Sequence, residues 1–316
     1  GVRLRGDLLA TIGYGANWRF ATEGTTYAQL FESNASPLLH FWSLAIEEQF
    51  YVVFPILMAV LLRWRRLMLP TLALLAVLSA GAMVLTTSRN VAYYGTHTRA
   101  AEFLIGALLA LVVPMRKEIT KRMQAFFAVG GVIALGVYVY ISGTVNASDG
   151  WLYQGGLTGF TIISCLLIVA VLVPGPVRSL MSLRPLVELG KVSYSVYLFH
   201  WPVFVLLNEE RLGFDGLALS LIRLLVSLSL GLISARVIEN PIRLRRVLRG
   251  SRQASWAFVV SLILAVIAIA GISTASPSAL AGVDAPDEFV QFTMAPTTSV
   301  IEPQRAPLKV LVLGSE

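Results

Sequence analysis

Charge is scarce in this 316-residue chain: Asp, Glu, Lys and Arg make up 14 % of it, against 56 % for hydrophobic residues. A soluble domain is about a quarter charged, so the chain has too little polar surface to cover itself in water. Cysteine is scarcer still. Cys165 is the one cysteine, it stands in an apolar run, and a disulfide framework within the chain is excluded. Three histidines, His40, His97 and His200, lie far apart without ligand spacing, so no metal site is expected. A P-loop, a G-x-G-x-x-G and a hydrolase-type G-x-S-x-G are all missing. There is no internal repeat and no signal-peptide pattern. The chain starts at Gly1 and stops inside an apolar run, so both ends read as cut.

What the sequence has in quantity is apolar length. A helix needs about 20 residues to cross a ~30 Å hydrocarbon core. Eight stretches qualify, at about 40–62, 67–87, 99–115, 124–142, 153–173, 191–208, 216–238 and 256–274. Backbone groups in lipid must be satisfied internally, and the alternation of a barrel strand is absent, so these stretches are predicted to be helices. The expected fold is an all-α polytopic transmembrane helix bundle.

The net charge of +7 is concentrated. Arg63, Arg65 and Arg66 follow the first span, and Arg116, Lys117, Lys121 and Arg122 the third. Arg178, Arg184 and Lys191 follow the fifth; Arg243, Arg245, Arg246, Arg249 and Arg252 follow the seventh. These four loops hold 15 of the 25 Lys and Arg residues, and the loops between them are nearly bare. Such alternation is a topology signal rather than a nucleic-acid footprint. With the basic loops cytoplasmic, loop 1–39 and the tail lie outside. The domain reading is an extracytoplasmic loop at 1–39, a transmembrane domain at 40–274 and an Ala/Pro/Ser/Thr-rich linker at 275–307. Leu308 to Gly314 then reads as the first strand of a truncated extracytoplasmic α/β domain spanning 308–316.

Ionisable groups inside spans cost several kcal/mol, which makes each a candidate for function. The first span carries the densest set. At about 100° per residue, His40, Ser43, Glu47 and Tyr51 share one stripe, with Glu48 beside it and Gln49 on the opposite side. A carboxylate that shares a face with an imidazole, a hydroxyl and a phenol suits a general base or the orientation of a histidine. The bland alternative is a packing network in which Glu47 pairs with a buried arginine. In the third span Arg99, Glu102 and Gly106 share a face; Arg99 alone has the option of snorkelling to headgroups. In the sixth span Ser193, Tyr197 and His200 share a face, with His200 about 13 Å deep if the span starts at Lys191. Two tyrosines and two serines near His200 favour a lined cavity over a lone core histidine. The seventh span ends in Glu239-Asn240-Pro241-Ile242-Arg243, read as a helix stop before a basic segment that anionic lipid would attract.

Leu39-His40-Phe41-Trp42-Ser43-Leu44-Ala45-Ile46-Glu47-Glu48-Gln49-Phe50-Tyr51 closely resembles the signature of the acyltransferase 3 family of bacterial membrane acyltransferases. Thr98 to Leu108, Ser193 to Pro202 and Glu239 to Arg243 are similar to three further family segments, in the family's order. Tyr14 to Phe20 resembles the segment before the signature, and the likeness covers about residues 5–245. The resemblance implies transfer of an acyl group, commonly acetyl from cytoplasmic acetyl-CoA, to a hydroxyl of an envelope glycan outside the membrane. No tightly bound cofactor is expected, since acyl-CoA is a donor substrate. The chain would sit in the bacterial inner (plasma) membrane. The family's N-terminal spans, with an Arg/Lys-then-His motif, have no counterpart here and are expected upstream of Gly1. Larger members add a periplasmic SGNH-type domain, which Leu308 to Gly314 would open. Gly314-Ser315-Glu316 departs from that type's Gly-Asp-Ser, and no nucleophile role passes to Ser315.

Under this reading Glu47, Arg99 and His200 are the expected catalytic residues. His40, Ser43, Tyr51, Glu102, Ser193 and Tyr197 are expected to bind substrate. Glu47 with a histidine deprotonates the acceptor, Arg99 stabilises developing negative charge, and acyl transfer is direct or passes through a carrier residue. A transporter or flippase for an envelope precursor is the rival, because it too needs intramembrane charge. A plain membrane anchor is a third reading, and the density of buried charge argues against it.

Overall fold

The computed structural model describes residues 2–22, 36–113, 120–146, 149–243 and 256. Helix is the only regular secondary structure among them. Two helices, α1 (Val2–Ile12) and α2 (Ala16–Thr22), occupy part of the stretch the sequence reads as a loop. The buried Asp7 carboxylate pins them together by accepting from the Arg19 guanidinium at 2.7 Å. Helices α3 (Phe41–Leu61) and α4 (Arg65–Leu85) are separated by a 3-10 turn at Leu62–Trp64. Short α5 (Arg89–Tyr94) leads directly into α6 (Thr96–Val112). Next come α7 (Lys121–Thr144), α8 (Gly156–Leu172) and short α9 (Pro176–Met181). The described part closes with α10 (Arg184–Leu206), α11 (Glu209–Leu212), α12 (Gly216–Ser234) and, after a π turn at Ala235–Glu239, α13 (Asn240–Arg243).

Seven of the eight expected spans coincide with helices. The eighth, the linker and the terminal strand lie outside the described residues, Trp256 apart. By length and composition, Phe41–Leu85, Lys121–Thr144 and Gly216–Arg243 are long and apolar enough to cross a membrane, and Gly156–Leu172 is a shorter apolar helix. Large apolar side chains point outward, among them Val77, Phe126 and Leu217. Small residues (Ala45, Ala76, Ala101, Ala134 and Ala170) are buried between helices. Lipid replaces water outside such a bundle, so association rests on close packing of small residues and on interhelical hydrogen bonds rather than on the hydrophobic effect.

The helices pair as α4 with α6, α7 with α8, and α10 with α12. At the α10–α12 crossing a Cβ on Gly231 would fall 2.8 Å from the Val196 Cα, so only glycine permits that approach. Between α4 and α6 the Ala101 amide donates to the Ser79 hydroxyl at 2.8 Å. One buried cluster knits α2, α3, α5 and α10 together: Ala16, Phe20, Leu39, Ala45, Tyr94 and Trp201. The Trp201 indole donates to the Ser36 carbonyl at 2.8 Å, tying the entry to α3 against α10.

Two sequence expectations need correction. Helix α10 begins at Arg184, not at Lys191, because Leu183 is extended and Pro185 sits where the first helical turn tolerates proline. His200 is therefore about 24 Å from the start of its helix and about 9 Å from its end. The helix stop at Glu239 is not a stop either. Pro241 has no amide to donate, and the ladder shifts to a π turn, with the Asn240 amide bonded to the Ala235 carbonyl before α13 continues.

Candidate functional site

The start of α3 and the last two turns of α10 bring four of the expected residues together. The His40 and His200 rings meet edge to face, 5.7 Å between centroids. Tyr197 lies against both, 5.7 Å from the His40 ring and 5.0 Å from the His200 ring. Its hydroxyl donates to the His40 carbonyl at 3.1 Å and is hydrogen-bonded to the Ser43 hydroxyl. His40 is 5 % exposed, and neither of its ring nitrogens completes a hydrogen bond among the described residues, although the Pro37 and Leu198 carbonyls lie beside it.

The tautomer of His200 follows from its partner. Nδ1 lies 2.5 Å from the Tyr197 carbonyl, which only accepts, so Nδ1 carries the proton. Nε2 makes no hydrogen bond among the described residues, and in the neutral ring it is the nitrogen that carries the lone pair. A neutral imidazole held by one nitrogen and open at the other is the form a general base takes.

A second group surrounds Arg99. Its guanidinium pairs with Glu102 at 2.9 Å and lies over two rings, Trp42 at 5.6 Å and Tyr93 at 5.5 Å from their centroids. The side chains of Arg99 and Glu102 are 14 % and 24 % exposed. Arg99 is thus not snorkelling. It is a mostly buried cation held between aromatic faces from two other helices and balanced by one carboxylate.

Glu47 belongs to neither group. No hydrogen bond or ion pair joins it to another described residue, so among these neither a histidine nor an arginine is its partner. Tyr51 continues the same stripe, yet it is 61 % exposed: Phe50 and Phe54 at that level pack against α4 and α6, but the Tyr51 side chain is left open among the described residues. Ser193 is exposed and its hydroxyl donates to the Gly190 carbonyl, one turn back on its own helix. The serine that turns inward on α10 is Ser195, which donates to Glu239 at 2.7 Å.

Other polar residues escaped the sequence reading. Gln49 faces away from the His40 stripe and meets Asn17 of α2 and Thr96 of α6. Trp42 and Tyr93 become partners of Arg99 only once α3, α5 and α6 are assembled. A glutamine within an apolar span was the available signal for the first of these. Nothing in the local pattern marks the other two.

The comparisons with known proteins bear on this arrangement. Residues 8–275 match the acyltransferase 3 family, described as an acyltransferase domain. The chain belongs to that family. Its long apolar helices fit a membrane-embedded helical bundle. It is 34 % identical over 256 residues to the O-acetyltransferase OatA of Staphylococcus aureus strain NCTC 8325 / PS 47, covering 77 % of this chain and 42 % of that protein. With the peptidoglycan O-acetyltransferase OatA of Listeria monocytogenes serovar 1/2a it shares 32 % identity over 252 residues, 76 % of this chain and 40 % of that protein. The chain thus spans about two-fifths of the length of these relatives. No solved structure matches it. Within the family segments, the structure unites His40, Ser43, Tyr197 and His200 and, separately, Arg99 and Glu102. Glu47, Tyr51 and Ser193 stand apart.

Proposed function

We propose that this chain transfers an acyl group, acetyl by analogy with its relatives, to a hydroxyl of a cell-wall glycan outside the bacterial inner membrane. The relatives' printed activity makes peptidoglycan the first acceptor to test. The observation that carries the chemistry is the open Nε2 of His200 beside His40, Ser43 and Tyr197.

In the proposed step the donor is an acyl-CoA thioester that enters from the cytoplasmic side, where the basic loops attract its phosphates. The acceptor hydroxyl gives its proton to Nε2 of His200 as its oxygen attacks the thioester carbonyl carbon. A C–O bond forms, the carbonyl oxygen gains negative charge, and Arg99 is the cation available to stabilise it. The C–S bond then breaks, and the leaving thiolate recovers the proton from the imidazolium. Glu47, without a partner among the described residues, is the second candidate for proton handling or for gripping the acceptor. The same sequence of bonds holds if a side chain of the protein carries the acyl group between donor and glycan.

Mass spectrometry of wall glycans from a strain deleted for the full-length gene and from its complemented parent tests the assignment. Loss of ester-linked acyl groups on deletion, restored by the parent but not by a His200→Ala copy, is the expected result. Unchanged glycan acylation on deletion overturns it, and would return the transporter reading to the front.

A further inference from the structure

Three side chains from three helices close a ring of hydrogen bonds. Gln49 Nε2 on α3 donates to Asn17 Oδ1 on α2 at 3.0 Å. Asn17 Nδ2 donates to Thr96 Oγ1 on α6 at 2.9 Å. Thr96 Oγ1 donates to Gln49 Oε1 at 2.5 Å. All three bonds run in the same sense, and the spare amide protons are used as well: Gln49 Nε2 also donates to the Tyr14 carbonyl at 2.7 Å, and Asn17 Nδ2 to the Tyr94 carbonyl at 3.0 Å. Backbone carbonyls only accept, so they fix which end of each amide points where. Asn17 is fully buried, and both carboxamides in the ring are satisfied at each end. Tyr14, whose carbonyl takes part, is the one described non-glycine residue with a positive φ, at 51°. That left-handed conformation is one that a tyrosine rarely keeps without something to hold it.

The ring ties together the elements that cage Arg99. Thr96 opens α6 one turn before Arg99, so it sets where that side chain departs. Tyr94, whose carbonyl Asn17 holds, adjoins Tyr93, one of the two rings beneath the guanidinium. Gln49 lies two turns along α3 from Trp42, the other ring. Every member of the cage is thus anchored to one closed network of directional bonds. A satisfied buried network of this kind fixes a unique arrangement, and one broken member leaves the others unpaired in a low-dielectric interior.

We infer that Gln49, Asn17 and Thr96 act as positioning residues for the transfer reaction: their ring sets the place of the Arg99 guanidinium relative to the acyl carbonyl. The inference rests on the acyl-transfer reading given above. Displacing a charge-stabilising group by about 1 Å costs up to ~10²-fold in rate without removing any substrate contact, so the signature is a fall in kcat at constant KM.

The test uses the full-length protein in lipid nanodiscs, with acetyl-CoA as donor and a soluble peptidoglycan oligosaccharide as acceptor. Thr96→Val keeps the shape and removes the hydroxyl; Thr96→Ser keeps the hydroxyl and removes a methyl. Gln49→Glu keeps the acceptor for Thr96 and removes the two donors. Thr96→Val and Gln49→Glu are expected to lower kcat about tenfold or more with KM for the glycan within about twofold, while Thr96→Ser stays within about twofold of the parent in both. Equal kcat for parent and Thr96→Val overturns the inference. So does failure of both Thr96→Val and Gln49→Glu to accumulate while Thr96→Ser accumulates normally, since the ring is then only a folding element. A parent protein without transfer activity overturns the functional reading itself, and that outcome is read before any variant is made.

Discussion

The helices carry two polar clusters built on opposite terms. In the ring of Asn17, Gln49 and Thr96 the amide groups all have partners, and two backbone carbonyls are drawn in to complete the set. In the cluster of His40, Ser43, Tyr197 and His200 the hydroxyls are tied, but Nε2 of His200 makes no hydrogen bond among the described residues, and the His40 ring has only the Pro37 and Leu198 carbonyls beside it. Unmet buried hydrogen-bonding groups are costly, and a chain that satisfies one cluster in full is able to satisfy another. The difference separates scaffold from chemistry: closed bonds hold geometry, and an open nitrogen is what a substrate proton needs.

That division is breakable by substitution. The largest effect is expected at His200. Replacing it with Ala or Gln should reduce transfer by about 10²–10⁴-fold, the range of a lost general base, in an assay that leaves membrane abundance unchanged. Near-normal turnover would place the base elsewhere. Next comes Arg99→Lys. The charge survives, but an ammonium does not stack between Trp42 and Tyr93 as a planar guanidinium does, so kcat should fall about 10²-fold. A lysine variant at parental rate would show that charge alone suffices. Glu47→Gln comes third, with a loss of about tenfold; undiminished glycan acylation at normal protein levels removes Glu47 from the reaction. At the small end, Tyr51→Phe and Ser193→Ala should stay within about twofold of the parent, because neither side chain reaches either cluster. A tenfold loss at either would mean that the site extends further along α3 or α10 than the described contacts reach.

The sequence disclosed helix class, helix positions and half of the site, and the reasons differ for each. Apolar runs of span length gave seven helices near their observed places, since length and hydropathy are properties of one segment. His40 and Ser43 were legible on α3, as were Tyr197 and His200 on α10, because helical periodicity states which residues share a face. It does not state what covers that face. Tyr51 lies on the right stripe where no described element covers that face, and Gln49 lies on the face that α2 and α6 approach. Asn17 was hidden because α2 is only seven residues long and stood inside a segment read as a loop. The aromatic partners of Arg99 were hidden because a cation–π contact between α3, α5 and α6 leaves no trace in the local pattern of any of them.

The π turn at Ala235–Glu239 carries one residue more per turn than the α-helix around it. It behaves as a phase corrector: the residues before it keep Gly231 against Val196, while those after it bring Glu239 to Ser195. A continuous α-helix through the same span would put one of those two contacts out of register by about 100°. The segment between Gly231 and Glu239 therefore tolerates the loss of one residue better than the gain of one. A one-residue deletion there would leave a continuous α-helix with both contacts in register, whereas a one-residue insertion would unlock one end of the α10–α12 pair, and with it the helix that presents Tyr197 and His200.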